Sequence, residues 1–174
     1  VLPGATGSGW VAGEHYRLCA VDLDRGNDTD FLIPNPQGAT VAQMNLRAAG
    51  FRRAEIDDFT GQPLLASFDL DNDGDMDWFV TSIYKVNEGT NELIGFGNRL
   101  YANDGAGEFT DVTDTAGVAN GGWAWASCFA DFDNDGNLDI VHVNGWREES
   151  SRPENNYVED QIRLFRSEGD GTFN

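Results

Sequence analysis

Apolar residues in this chain come in short runs, broken every few residues by glycine, asparagine or aspartate. "DWFVTSIY" (77–84) and "DIVHVNGW" (139–146) are aromatic and β-branched, and they predict strands. "NRLYANDGAGEFTDVT" (98–113) and "QIRLFRSEGDGTFN" (161–174) each read as strand, glycine-containing turn, strand, which predicts hairpins. They align with Leu100 over Leu164 and Phe109 over Phe173. A shorter relative, "MNLRAAGFRRAE" (44–55), stands at the corresponding place earlier in the chain. No apolar run approaches the roughly 18 residues of a membrane span, so none is expected.

The strands recur in a fixed order, which makes repetition the organising feature. "VDLDRGNDTDFLI" (21–33), "FDLDNDGDMDWFV" (68–80) and "ADFDNDGNLDIVHV" (130–143) align without gaps over their aspartate loops. "SGWVAGEHYRLCAVD" (8–22) and "GGWAWASCFAD" (121–131) precede two of these loops, with Trp10 and Trp123 both following glycine. Each unit therefore reads as strand, aspartate loop, strand, variable connection, hairpin. The units span approximately 8–56, 57–118 and 119–174, within one repeat region covering 1–174. The predicted class is all-β, with four antiparallel strands per unit stacked as β-propeller blades; a sandwich of hairpins is the alternative. Propellers close with 4–8 blades, so three units imply a segment of a longer propeller or a ring completed by other chains.

The loops carry the chemistry. Carboxylates alternate along nine residues and repel one another unless a cation lies among them. Such dense hard oxygen ligands suit Ca²⁺, which takes 6–8 oxygens in flexible geometry, better than Mg²⁺, which keeps several waters in a strict octahedron. Numbering from the first aspartate, positions 1, 3, 5 and 9 offer side chains, position 7 offers a carbonyl, and glycine at position 6 allows the turn. Loop two then supplies Asp69, Asp71, Asp73 and Asp77, with Gly74 as hinge; loop three supplies Asp131, Asp133, Asp135 and Asp139, with Gly136. Asp75 and Asn137 hold position 7, with their side chains expected to face solvent. Loop one keeps Asp22, Asp24, Asp28 and Asp30 but has Gly26 at position 5 and Asn27 at position 6, so a weaker or distorted site is expected. An EF-hand is rejected because Val80 and His142 stand where its last glutamate belongs, and the flanks are strands. The competing reading is three solvated acidic turns.

The net charge of −19 disfavours nucleic acid and anionic surfaces and favours cations. The opening "VLPGATGSGW" shows no signal peptide and reads as the start of a mature or clipped product. Cys19 and Cys128 are expected as buried free thiols, since equivalent positions of non-adjacent units lie too far apart to bridge. Trp123 and Trp125 share a strand face and are expected in packing between units. His15 and His142 have no Ser or Cys partner in a triad arrangement, so catalysis is not expected.

The D-x-D-x-D-G-x-x-D loop between strands resembles the FG-GAP (VCBS-type) repeats of integrin α-subunit propellers. The longer combination "NRLYANDGAGEFTDVTDTAGV…GGWAWASCFADFDNDGNLDIVHVNG" resembles secreted propellers of the cartilage-acidic-protein type. The resemblance implies a seven- or eight-bladed, calcium-binding, extracellular or cell-surface propeller that works in adhesion or recognition, with a protein or glycan as partner. A lectin, or a propeller-type polysaccharide lyase or hydrolase, is the alternative. Loops on a rigid scaffold carry recognition more often than strands do. The long polar stretch 144–161, with Trp146, Arg147 and Tyr157, is therefore the expected ligand-binding region.

Overall fold

The computed structural model describes residues 18–33, 40–57, 64–85, 89–90, 95, 97–145 and 160–174. These form three small antiparallel sheets. The first holds β1 (Cys19–Val21), β2 (Asp30–Ile33), β3 (Thr40–Asn45) and β4 (Phe51–Asp57), in that order. The second repeats the arrangement with β5 (Leu64–Phe68), β6 (Asp77–Thr81), β7 (Arg99–Asn103) and β8 (Phe109–Asp111). A one-turn helix, α1 (Thr113–Ala116), follows and ends on Gly117 in the left-handed region. The third sheet holds β9 (Ala124–Ala130), β10 (Asp139–Asn144) and β11 (Arg163–Phe165). Where a fourth strand was expected there is one bridge, Ser167 to Phe173. The chain is thus all-β in repeated antiparallel units, and each aspartate loop joins the first two strands of its sheet.

All five residues of β6 are buried, because both faces of the middle sheet are covered, which is why its centre, Trp78 to Val80, is apolar without alternation. On one face Trp78, Val80 and Tyr101 pack against Leu23, Leu32, Ala42 and Met44 of the first unit. On the other, Phe79, Leu100, Phe68 and Leu70 pack against Ile140 and Phe173, with Phe129 and Phe165 alongside. Phe68 and Phe129 stack at 3.9 Å between centroids. Side chains alternate across a strand, so neighbours in sequence serve opposite interfaces. The first strands of the units lie next to one another, β1 by β5 and β5 by β9.

His142 belongs to the second of these interfaces. Its ring meets Phe79 and Phe165 edge-on, and Nδ1 and Ser127 Oγ lie 2.8 Å apart in a hydrogen bond. Nε2 is buried without a hydrogen-bond partner among the described residues. Burial pushes the imidazole down to about 4; Arg163 pushes the same way and Asp160 opposes it. The unfolded chain takes up this proton near its ordinary value of about 6.5, and the folded chain resists until about 4. Stability held at neutral pH is therefore lost as pH falls across that window, by up to about 3 kcal/mol. Comparison of His142→Leu with the parent between pH 7 and 4 should show the variant lacking this part of the acid loss. Parallel curves would refute it.

Two expectations are corrected. Cys128 is exposed, and Cys19 only half-buried, though both are free thiols as expected. Trp125 is likewise exposed rather than packed between units, with its indole N–H donating to Gly145 O at 2.6 Å. Cys128 alternates with Phe129 and so lies on the face of β9 turned away from the second sheet, where no described sheet covers it, whereas Trp125 is skipped at the irregularity in the β9–β10 register between Val143 and Asn144.

Candidate metal centres in the aspartate loops

Each loop folds around its position 1 carboxylate, which accepts two backbone N–H groups from the far side of the turn. In loop two, Asp69 accepts from Asp73 and Gly74 at 3.1 and 3.0 Å. In loop three, Asp131 accepts from Asp135 and Gly136 at the same distances. Asp22 of loop one does the same with Gly26 and Asn27, at 3.1 and 2.9 Å. The glycine hinges have φ of 91° and 93°, and Asn27 takes φ 55° in their place. The loss of glycine at position 6 therefore leaves this closure intact, so loop one is not opened by it.

Position 9 is a buried staple in all three units. Asp77 accepts from Leu70 N at 2.5 Å with one oxygen and from Asn103 N at 2.9 Å with the other. Asp139 accepts from Phe132 N and Ser167 N, both at 2.9 Å. Asp30 accepts from Leu23 N at 2.7 Å and Asn45 N at 2.6 Å. One carboxylate thus ties its loop to the end of the third strand. Asn45, Asn103 and Ser167 also cap their hairpins; Asn103 Oδ1, for example, accepts from Gly105 N and Gly107 N at 3.2 Å each. These three are positioning residues that the sequence reading missed. Their signal was there, since each is a polar residue at the end of a hairpin's first strand or, for Ser167, two residues past it.

The carboxylates that converge are those at positions 1, 3 and 9. Asp22, Asp24 and Asp30 form one group, Asp69, Asp71 and Asp77 a second, and Asp131, Asp133 and Asp139 a third, each with ligand atoms within 4.8 Å of one another. Each group could hold a metal ion. Position 5 serves the turn: Asp73 accepts from Asp75 N, and Asp135 from Asn137 N, both at 2.8 Å. That backbone hydrogen bond holds Asp135 below the usual carboxylate range. Burial pushes Asp77 up to about 6 and raises Asp30, with neighbouring loop carboxylates adding to both shifts. Converging, mutually repelling oxygen donors, one of them buried in each group, are the chemistry that a divalent cation relieves, so the donor set fits the ion expected for it.

Asp75 corrects an expectation. Its side chain is buried, not solvent-facing, and pairs with the Arg25 guanidinium of loop one. Gly105, with φ 75°, makes the room: a Cβ there would lie 2.4 Å from Asp75 Oδ2. Asn137 is half-buried, and Asp28 of loop one pairs with Arg47 at 2.8 Å. Trp146, Arg147 and Tyr157 lie outside the described residues.

Residues 69–142 match the sequence model of the FG-GAP-like repeat. The FG-GAP-like match begins on the first aspartate of loop two, runs through the rest of the second unit and loop three, and ends in β10. Comparison with curated proteins and with solved structures finds no match. Among the described residues, no helix is long and apolar enough to cross a membrane.

Proposed function

We propose that this chain is a calcium-bound segment of a β-propeller, working outside the cell as a structural and recognition module. The observation that carries the reading is the threefold recurrence of the position 1, 3 and 9 carboxylates at the same place in three successive sheets. Calcium would be held by those side chains with help from the position 7 carbonyls. It would supply positive charge that neutralises each loop and fixes the start of each second strand. The FG-GAP-like match supports a propeller-type module; adhesion, recognition of a protein or glycan, and the extracellular setting rest on the family resemblance.

The unevenly covered third sheet supports the propeller over a closed three-sheet stack. Position 2 of the loop is Leu23 and Leu70 in the first two units, 1% and 5% exposed, but Phe132 in the third, 50% exposed. Ala42 and Leu100 are fully buried, while the matching Leu164 is 51% exposed. The third sheet thus presents to solvent the face that the first two use to receive the next sheet. A further blade, from this chain's own protein or another, would cover it.

Calcium removal tests the metal reading. At about a hundredfold excess over the dissociation constant, a bound ion contributes about 2.7 kcal/mol per site. Chelation should therefore lower the melting temperature by about 5–10 °C for one such site in a chain of this size. Asp71→Ala and Asp133→Ala should each remove part of that response. An unchanged melt on chelation would sink the proposal.

A further inference from the structure

Position 4 has a role that lies outside its own loop. Arg25, Asn72 and Asn134 all occupy it, and all three have left-handed backbones, with φ of 57°, 60° and 61°. In the first two loops the side chain reaches out of its own loop to the next one. Arg25 crosses to loop two: Nη2 donates to the Asp73 carbonyl at 2.6 Å and lies 3.9 Å from Asp73 Oδ1, while Nε pairs with the buried Asp75 carboxylate. One side chain of loop one thereby grips positions 5 and 7 of loop two. The next junction repeats the pattern in weaker form. Asn72 Nδ2 reaches Asn137 Oδ1, again position 4 to position 7, at 3.5 Å.

Position 7 is built to receive this contact. Behind Asp75 stands Gly105, and behind Asn137 stands Gly169, where a Cβ would lie 2.9 Å from Asn137 Nδ2. Each position 7 side chain is thus backed by its own hairpin and met from the front by the preceding loop. In loop one, a cation from the same unit plays that part: Arg47 Nε pairs with Asp28, and Nη2 donates to Gly26 O.

We propose that position 4 couples successive loops, and that Arg25 carries order from loop one to positions 73–75 of loop two and back. Because position 7 is where a loop carbonyl would face the ion, the coupling makes loop two better formed for calcium when loop one is in place. That calcium-linked half rests on the function proposed above; the contact between the loops does not.

Amide hydrogen exchange separates the two. Arg25 is more than half exposed, so Arg25→Gln should keep the fold. In chelator and in calcium alike, the amides of 73–75 should exchange about three- to tenfold faster in Arg25→Gln than in the parent. Asp75→Asn should do the same to the amides of 25–27. Arg53→Gln, which removes a surface pair with Glu55, should leave both loops unchanged. Unchanged protection of 73–75 in both media overturns the coupling. Calorimetric titration of the parent with calcium alone reads the other half: absence of binding sinks the calcium reading, and the exchange in chelator still decides the coupling.

Discussion

Asp77→Ala should cost about 4–5 kcal/mol in calcium and only about 1–2 kcal/mol in chelator. Two effects oppose each other at this residue. The carboxylate satisfies two buried backbone N–H groups, those of Leu70 and Asn103, and orphaning a buried donor costs about 1–3 kcal/mol each. Without an ion, however, keeping it charged in a buried site is itself unfavourable, since burial pushes its pKa up to about 6. That penalty is about 3 kcal/mol at neutral pH, and truncation removes it along with the hydrogen bonds. In chelator the terms partly cancel; with calcium the penalty is already relieved and the whole loss is felt. Asp71→Ala is the contrast. Its exposed side chain belongs to the same convergent group but is no comparable staple, so stability should fall in calcium and barely change in chelator. Denaturant unfolding of both variants in both media reads the difference. Equal losses for Asp77→Ala in the two media would leave it a staple alone, and a net gain of more than about 1 kcal/mol in chelator would refute the staple.

The loops were legible because their information is local. A nine-residue pattern with aspartate at 1, 3 and 9, a turn residue at 6 and a strand on either side can be read without the rest of the chain. Its threefold recurrence fixed the order of elements in each sheet. Asp75 was misread because its burial depends on Gly105, thirty residues on, and Arg25, fifty back; no window around loop two contains either. Position 4 was half-legible. Asn72 and Asn134 are residues that tolerate a left-handed backbone, but Arg25 gives no such hint. Cys128 is exposed by the absence of a described sheet on one side, and Trp125 lies at an irregularity in the strand register; no local pattern encodes either. The role of position 9 as a double backbone acceptor was hidden for a related reason. Its partners Asn45, Asn103 and Ser167 lie 15, 26 and 28 residues away.

Trp78→Ala should be among the most destabilising single changes in the chain, at about 3–5 kcal/mol. The indole is 1% exposed between the first two sheets, among Leu23, Leu32, Ala42 and Met44. It stacks on Tyr101 with centroids 5.1 Å apart and an interplanar angle of 25°. Truncation leaves a void where two sheets meet, and it removes an aromatic pair worth about 0.5–1.5 kcal/mol beyond its area. One term runs the other way. Trp78 Nε1 is buried with no hydrogen-bond partner among the described residues, a standing penalty of about 1–3 kcal/mol that any residue without the N–H escapes. The void dominates for alanine, but for phenylalanine the terms come close to balance. Trp78→Phe keeps the aromatic contact with Tyr101, gives up part of the volume and loses the orphaned donor, so its cost should stay at or below about 1 kcal/mol. Urea midpoints of the two variants against the parent give the order directly. A phenylalanine variant as unstable as the alanine one would mean that Nε1 is satisfied in solution and that the stabilisation lies in a hydrogen bond, not in filling the space between the sheets.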